Sequence, residues 1–280
     1  MKNIPGRLFL RTMPKILLTR CVGYFANASL PQWILRPLIR MFVKIYKIDM
    51  SEYQETYFPT FNHFFTRSLR PECRPMEIDP KAIVSPVDGT IAQFGTIQNG
   101  QLIQAKGIDY PLKHLVYLSE YEETFQNGKY ITIYLSPRDY HRIHTPATIQ
   151  IHELLYLPGA LYPVNHLAVH NIPSLFTINE RIISLLQSEN NTKIALIKVG
   201  ATIVGKIKVI YDIIEANHTK EIVHKTYSEQ NLLLLKGDEI GQFQMGSTII
   251  LLFPPETIEF HTIQIGQKVK LGQTIAHFNH

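Results

Sequence analysis

Apolar and polar positions divide the chain into a helical first part and a strand-rich remainder. Apolar residues recur at helical spacing over residues 8–70, and Pro71 and Pro75 close this part. Short β-rich runs then follow, separated by glycine, proline and asparagine: KYITIYLS, ATIQIHELLYL, KIALIKVGATIVGKIKVI, STIILLFP and VKLGQTIAHF. The pattern predicts an α+β chain with a helical segment at residues 1–72 and a predominantly antiparallel β body at residues 73–280.

One helical insertion is predicted within the β body. The stretch FTINERIISLLQSE, residues 176–189, has helical character, and a polar turn follows at Asn190 and Asn191. The chain contains no clear internal repeat or low-complexity tract, and residues 73–280 are expected to form one β-rich domain.

The segment PQWILRPLIRMFVKIYKIDM combines a narrow basic stripe with a wide apolar surface. Because Pro31 and Pro37 interrupt its start, the helix is expected to begin near residue 37. Such a helix suits a membrane interface, with its cations near anionic headgroups. A core-facing helix with a solvated basic stripe explains the pattern equally well. The cations, at helical spacings of 4, 4 and 3, are Arg36, Arg40, Lys44 and Lys47.

Composition and charge narrow the class of protein. A chain of 280 residues with 45% apolar and 18% charged residues is typical of a globular protein. Residues 1–50 carry a net charge of +8 and the remainder −3, so the overall +5 does not indicate a nucleic-acid-binding protein. Cys21 and Cys73 lack CxxC spacing, which argues against a disulfide framework. The uncharged residues 21–35 are shorter than the ~20 residues that span a bilayer.

Two stretches carry candidate chemical groups. SPVDGTI places Asp88 and Gly89 in a tight turn, a pattern that is also ordinary turn chemistry. In YLSPRDYHRIHTP, Ser136 resembles the N-cap of a short helix. His141 and His144 would share one face of that helix and act as acid-base groups. Two partly exposed structural histidines remain an alternative.

A third stretch, KGDEIGQFQMGSTIILLFPP, contains Gly246 and Ser247 before an apolar run. A serine nucleophile needs a base and a group that orients the base, and Ser247, His144 and Asp88 form one such set. The strand–GxSxG–helix context of an α/β-hydrolase is missing because a strand follows Ser247. The pattern therefore favours a different use of the serine from that of an ordinary esterase.

The chain resembles the prokaryotic-type phosphatidylserine decarboxylases in the order and spacing of its motifs. The motifs are the three stretches above together with FNHFFTRSLRPECRPM, LFTINERI and VGATIVGKI. The resemblance runs from about Pro14 to Ala276. Met245 stands where family members often have leucine or phenylalanine before Gly-Ser, an apolar replacement that is expected to leave the chemistry intact. The C-terminal IGQKVKLGQTIAHF also resembles biotinyl- and lipoyl-carrier domains, which implies β-sandwich character in the β body.

The resemblance implies a self-processing, pyruvoyl-dependent enzyme. Ser247 would attack the carbonyl carbon of Gly246 and become the pyruvoyl group, the covalent cofactor that forms a Schiff base with the substrate amine. His144 would serve as the base and Asp88 as its orienting partner. His141 is the candidate for polarising the substrate carboxylate or assisting protonation. The product would be a β chain of residues 1–246 and an α chain of residues 247–280.

The implied reaction converts phosphatidylserine to phosphatidylethanolamine and CO2 in phospholipid biosynthesis. The partners implied are membrane phosphatidylserine and the other self-cleaved chain, with assembly into a homo-oligomer left open and no nucleic acid or metal. The implied location is peripheral, on the cytoplasmic face of the bacterial inner membrane. The residues that contact the headgroup phosphate do not follow from the sequence.

Two rival hypotheses belong to other classes of protein. The carrier-like C-terminus is compatible with a non-enzymatic carrier or membrane-binding module, although a carrier needs an exposed lysine at the prominent turn that here holds Gly246 and Ser247. A metal-dependent lipid hydrolase could use His141 and His144, but zinc would require at least a third protein ligand.

Overall fold

The first part of the chain is helical in the computed structural model. Helix α1 spans Lys15–Asn27, α2 spans Gln32–Tyr46 and α3 spans Phe61–Phe65. Within the described part of the chain, no helix is long and apolar enough to cross a membrane. The structure describes residues 15–202, 206–214, 219–244 and 248–279. Short helices in the later part are α4 Leu112–Val116, α5 Ser119–Phe125, α6 His166–Asn171 and α7 Leu175–Ile178.

Strands dominate the rest of the described chain. In chain order they are β1 Ala82–Val84, β2 Gly89–Thr96, β3 Gln101–Ala105, β4 Ile108–Pro111, β5 Lys129–Tyr134, β6 Arg142–His144, β7 Ile149–Leu157, β8 Arg181–Ser188, β9 Lys193–Val199, β10 Ile207–Val209, β11 Val223–Thr226, β12 Leu233–Leu234, β13 Glu239–Phe243, β14 Thr248–Phe253, β15 Ile258–Phe260, β16 Lys268–Val269 and β17 Thr274–Phe278.

One large antiparallel sheet organises the β body. Its strand order is β11-β7-β8-β9-β14-β5-β2-β16, and β12 also pairs with β7. Smaller antiparallel sheets have the orders β1-β17-β15, β10-β13-β6 and β3-β4. The small sheet of β6, β10 and β13 is important for the site because β6 leads away from His141 and β13 leads towards β14.

Strand β14 lies at the centre of the large sheet, between β5 and β9. All of its residues, TIILLF, are buried, so both of its faces are covered. Each large apolar side chain removed from water stabilises the fold by roughly 1.5–3 kcal/mol. The burial of β14 therefore fixes the position of Thr248, the residue that follows Ser247 in the sequence.

The helix predicted at residues 176–189 is wrong. The structure has only the short helix α7 there, followed by strand β8 between β7 and β9. Nearly every residue of β8 is buried, on both faces. A strand covered on both faces reads as a continuous apolar run, which hydrophobic spacing does not distinguish from a buried helix. The polar turn predicted after it is present, and Asn191 has a φ of 63°.

Helix α2 begins at Gln32 rather than near residue 37, so Pro37 lies inside the helix. The Gln32 side-chain amide donates to the Phe58 carbonyl oxygen at 3.1 Å, which holds the first turn. Leu35 is fully buried, and the ring of Phe42 packs edge-on against Phe61 at 5.2 Å. This packing offsets the hydrogen bond that Pro37 cannot make.

The predicted division into a helical start and an antiparallel β body is confirmed at the level of secondary structure. The predicted strand runs correspond to β5, β7, β9 with β10, β14, and β16 with β17. Carrier-like sandwich character and a domain boundary after residue 72 stay predictions.

Candidate active site

Segments that the sequence singled out meet at one end of the large sheet. Tyr134, the last residue of β5, pairs with Thr248, the first residue of β14. Tyr134 also pairs with Thr90 at the start of β2. Asp88 directly precedes β2, and residues 136–144 follow β5. The antiparallel register therefore brings the Asp88 turn and the two-histidine stretch to the end of the sheet where β14 begins.

The predicted cleavage bond between Gly246 and Ser247 lies outside the described residues, as does Met245. The chain on either side of it is described. The Phe243 backbone N–H donates to the His141 carbonyl oxygen at 2.9 Å, so β13 continues its pairing as far as His141. His141 is thus a direct neighbour of the strand that runs towards the predicted bond.

Gly89 allows β2 to approach β5 closely. A Cβ atom at this position would lie 2.7 Å from the Tyr134 carbonyl oxygen and 2.7 Å from the Cγ2 of Ile133. Both distances are shorter than real Cβ contacts, and one of the obstructing atoms belongs to the backbone. The glycine of the Asp-Gly pair is therefore required by close packing at the site.

The helical turn predicted at Ser136 is wrong. Residues 136–139 form a turn in which the Asp139 carboxylate accepts hydrogen bonds from the Ser136 N–H and hydroxyl, both at 2.7 Å. Strand β6 begins at Arg142, so His141 and His144 do not share a helical face. Residues three apart on extended backbone point to opposite sides. The two histidines therefore have separate environments.

His141 is fully buried against the ring of Phe65, with 4.1 Å between ring centroids. Its Nδ1 donates to the Asp139 carbonyl oxygen at 2.7 Å. Burial, assisted by the positive charge of Arg67, lowers the pKa of His141 to about 3. Its Nε2 has no hydrogen-bond partner among the described residues. The ring is therefore a neutral imidazole with a buried, unpaired acceptor nitrogen.

Arg67 is a functional candidate that the sequence analysis missed. It is almost fully buried, and its guanidinium group lies 4.0 Å from the centroid of the Tyr53 ring. One terminal nitrogen donates to the Tyr53 hydroxyl at 2.9 Å and to the Arg138 carbonyl oxygen at 3.2 Å. This places a fixed positive charge near His141. No spacing rule signals it, because its partners are distant in sequence.

His144 is held in one tautomer by its hydrogen bonds. Its Nδ1 donates to the Gly237 carbonyl oxygen at 2.7 Å, which leaves Nε2 as the acceptor. The Tyr140 hydroxyl donates to that Nε2 at 3.0 Å, and the two rings stack with centroids 5.6 Å apart. Burial lowers the pKa of His144 below its usual value. The ring is therefore neutral at pH 7, as a general base must be.

Asp88 is anchored by Arg74 and by the backbone of Leu271. Arg74 donates to both carboxylate oxygens, at 3.0 and 2.5 Å, and the Leu271 N–H donates at 2.8 Å. Arg74 also donates to Glu52 at 2.8 Å. Burial alone would lower the pKa of Arg74, but its bonds to Asp88 and Glu52 raise it. The result is a buried, bidentate ion pair with a fixed orientation.

Asp88 and His144 are neighbours that do not hydrogen-bond to one another. The His144 backbone N–H donates to the Pro86 carbonyl oxygen at 2.9 Å, which places β6 beside the Asp88 turn. The bonds of the His144 ring nitrogens nevertheless go to Tyr140 and Gly237. In this structure the orienting contact is the Gly237 carbonyl, and Asp88 acts on the ring only through its charge, which favours the imidazolium.

Comparison with known proteins identifies the family. A family model described as phosphatidylserine decarboxylase matches residues 61–277, and a second, described as PSD, matches residues 7–47. The chain belongs to the phosphatidylserine decarboxylase family. Curated relatives are named phosphatidylserine decarboxylase proenzyme. One from Klebsiella pneumoniae is 42% identical over 275 residues, covering 94% of this chain and 85% of the relative. Another, from Escherichia coli O45:K1, is 41% identical over 276 residues, covering 94% and 84%.

Family membership confirms the prediction of a phosphatidylserine decarboxylase, a lyase of the carboxy-lyase class. It also favours an enzyme over the carrier hypothesis. The hydrolase hypothesis gains no support from the histidine geometry. A group of side chains with metal-ligand spacing, Glu120, Glu153 and His224, does occur in the described chain, but it contains neither His141 nor His144.

Proposed function

We propose that this family member decarboxylates phosphatidylserine to phosphatidylethanolamine and CO2, after cutting its own chain between Gly246 and Ser247. The observation that carries the proposal is the register of the large sheet. Through it, Asp88 and the stretch containing His141 and His144 share one end of the sheet with Thr248. The proenzyme names of the relatives support the cleavage step.

Self-cleavage proceeds by attack of the Ser247 hydroxyl on the carbonyl carbon of Gly246. The C–N bond breaks as a C–O bond forms, which converts the amide to an ester with a free amine at residue 247. Elimination then removes the Cα proton of residue 247, breaks the ester Cβ–O bond and releases residues 1–246 with a carboxylate end. The resulting dehydroalanine hydrolyses to a pyruvoyl group and ammonia, and the smaller chain comprises residues 247–280.

His144 supplies the base for this first attack. Its neutral form and the lone pair on Nε2 suit removal of the serine proton, and the Gly237 carbonyl stabilises the imidazolium that forms. The Asp88 charge stabilises the same imidazolium from a greater distance. Because Tyr140 occupies Nε2, its hydroxyl has to give way to the serine or transmit the proton.

The residues around the start of β14 fit a pyruvoyl group. Two buried polar atoms, Nε2 of His141 and the hydroxyl of Thr248, have no partner among the described residues. The pyruvoyl carbonyl supplies an electron sink for decarboxylation. Since Nδ1 of His141 already donates to Asp139, Nε2 acts as an acceptor. We therefore assign His141 to accepting a hydrogen bond from the substrate amine rather than to polarising the carboxylate. The pKa of His141, about 3, makes the ring too weak a base to take the proton at pH 7.

The N-terminal segment, residues 1–72, attaches the enzyme to the membrane that holds its substrate. Helix α2 exposes apolar side chains to solvent, among them Trp33 at 77%, Met41 at 54% and Ile45 at 63%. We infer a peripheral enzyme on the cytoplasmic face of the bacterial inner membrane, active as a heterodimer of its two chains. Further homo-oligomer formation is compatible with this arrangement.

The carrier-like sandwich is retained as a proposal for the C-terminal strands. It is supported by Gly266 and Gly272, which flank β16 and both have a φ of +85°. Glycine adopts this backbone more readily than other residues, and the two turns connect β16, which pairs with β2, to its neighbours β15 and β17 in the smaller sheet.

The activity is tested with phosphatidylserine labelled at the serine carboxyl carbon. The expected result is labelled CO2 together with phosphatidylethanolamine. Hydroxylamine, which reacts with ketones, should abolish the activity, whereas chelators should leave it unchanged. Hydrolysis products without CO2, or restoration of activity by added metal after chelation, would instead favour the hydrolase hypothesis.

A further inference from the structure

A groove separate from the candidate active site runs between helix α2 and residues 50–58. Its volume is about 570 Å³, within the range of small-molecule sites. One edge carries the cations Arg36, Arg40 and Lys44, and the floor includes the apolar residues Ile39 and Val43. None of the residues that line it belongs to the group of Asp88, His141 and His144.

Acidic side chains in the described part of the chain do not neutralise the cations of the groove. Within the described residues, no ion pair involves Arg36, Arg40 or Lys44; Arg36 donates only to the neutral side chain of Gln32, at 3.3 Å. Among the described residues that line the groove, one is acidic: Glu55, whose carboxylate accepts bonds from the Ser68 N–H at 2.9 and 3.2 Å. The groove therefore has net positive charge available to an anionic ligand.

The position of the groove on α2 fits a ligand that arrives from a bilayer. At 100° per residue, the exposed apolar stripe of Ile34, Leu38, Met41 and Ile45 lies about 130° around the helix from the groove cations. If this stripe enters the acyl region, the long arginine and lysine side chains extend to the headgroup level. The groove would then open towards lipid phosphates.

We propose that this groove binds one molecule of an anionic glycerophospholipid, distinct from the molecule being decarboxylated. Its phosphate lies between Arg40 and Lys44, and the first carbons of an acyl chain lie on Ile39 and Val43. The proposal rests on the proposed membrane association of α2. Charge complementarity and the apolar floor select a phospholipid over a soluble anion, because free phosphate would leave the floor uncovered.

Binding is measured with monomeric dihexanoyl phosphatidylglycerol, which carries the phosphate but neither the amine nor the carboxylate of phosphatidylserine. Trp33, the single tryptophan of the chain, is next to the groove residue Gln32 and reports binding by fluorescence. Saturation at one ligand per chain is expected. Dihexanoyl phosphatidylcholine and inorganic phosphate should bind at least about tenfold more weakly.

Matched charge-reversal variants distinguish specific binding in the groove from general electrostatic attraction to the basic stripe of α2. Arg40→Glu should weaken phosphatidylglycerol binding by about tenfold or more, whereas Lys47→Glu, on the same basic stripe but outside the groove, should change it by less than about twofold. Val43→Phe, which fills the floor without changing charge, should also weaken binding. Equal effects of the two reversals, no effect of Val43→Phe, or equally strong binding of inorganic phosphate would overturn the proposal.

The proteins prepared for the binding titration also report on the proposed catalytic function, and the two results can be read independently. Their intact masses report self-cleavage, which does not depend on phosphatidylglycerol. Cleaved protein that fails to bind the probe refutes the groove alone, whereas an uncleaved wild-type chain refutes the catalytic proposal and leaves the titration interpretable.

Discussion

The hydroxyl of Tyr140 donates to Nε2 of His144 at 3.0 Å, while the opposite ring nitrogen is bonded to the Gly237 carbonyl. Nε2, the nitrogen that accepts the proton in general-base catalysis, therefore carries no proton and already accepts a hydrogen bond from Tyr140. A hydrogen bond to the lone pair favours the neutral ring and so keeps the pKa of His144 low. Tyr140 is therefore a positioning residue for the proposed base.

We predict that Tyr140→Phe shifts the pH dependence of self-cleavage. The base works when neutral, so the rate is constant above the pKa of His144 and falls as the pH drops through it. In the wild type that fall should lie below pH 6.5, because burial lowers this pKa. Loss of the Tyr140 donor should move it upward. The measurement is the cleavage rate of freshly synthesised precursor against pH.

Tyr134→Phe is the matched control for this experiment. It removes a hydroxyl from the same end of the sheet, and its hydroxyl makes no hydrogen bond to His144. Its pH profile should follow the wild type. A profile for Tyr140→Phe that also follows the wild type would remove Tyr140 from its positioning role.

We predict that Arg74→Met greatly lowers the free energy of unfolding, because it breaks the buried Arg74–Asp88 ion pair. Both residues are buried, and the substitution leaves the Asp88 carboxylate without its counter-charge. Breaking a buried pair from one side costs about 3–5 kcal/mol in the free energy of unfolding. Denaturant unfolding should be compared in an uncleavable Ser247→Ala chain.

Arg70→Met is the control, since Arg70 is exposed and its side chain donates to the Tyr53 carbonyl oxygen at 3.2 Å without pairing to an acid among the described residues. It should cost about 1 kcal/mol or less. Adding Asp88→Asn to Arg74→Met should recover part of the loss, because the buried charge is then gone. Equal losses for Arg74→Met and Arg70→Met would contradict the anchoring role.

His141 and His144 should affect different steps. We expect His141→Ala to retain self-cleavage and to lose decarboxylation by about 10²-fold, because the substrate amine loses the acceptor that positions it. His144→Ala should block cleavage itself. Cleavage is followed by gel and decarboxylation by CO2 release per pyruvoyl-containing chain. If His141→Ala impairs both steps equally, the separate roles fail.

Membrane attachment is predicted to depend on the exposed apolar stripe of α2. The double substitution Met41→Asp with Ile45→Asp should lower sedimentation with anionic vesicles by more than about tenfold, because each buried apolar side chain contributes roughly 1.5–3 kcal/mol. Ile213→Asp is the control: Ile213 is 93% exposed and lies beside Asp212, which pairs with Lys225 in the edge strand β11. Equal effects would place the membrane contact elsewhere.

The sequence predicted the parts of the fold that depend on local pattern. Strands β5 and β14 follow from short runs rich in β-branched residues, and β7 follows from an apolar run that begins with Thr148, Ile149 and Ile151. Strand β8 did not, because its run RIISLLQS lacks alternation and also contains the helix formers leucine, glutamine and arginine. The turn at Ser136 was mistaken for a helix start, since a serine with an aspartate three residues later caps either structure.

Only part of the candidate site could be predicted from the sequence. Asp88, His141, His144, Gly246 and Ser247 came from motif order, and their roles stay predictions. The hydrogen-bond partners that orient these side chains are distant in sequence. Gly237 is 93 positions from His144, and Leu271 is 183 positions from Asp88. Such contacts are set by sheet register and tertiary packing, which no local spacing encodes.

The most direct test of the proposed self-processing is the intact mass of the purified protein. Two chains are expected, residues 1–246 and residues 247–280, the smaller with a pyruvoyl-blocked N-terminus. Ser247→Ala should give one chain without decarboxylase activity. A single uncleaved chain in a preparation that decarboxylates phosphatidylserine would contradict the central claim.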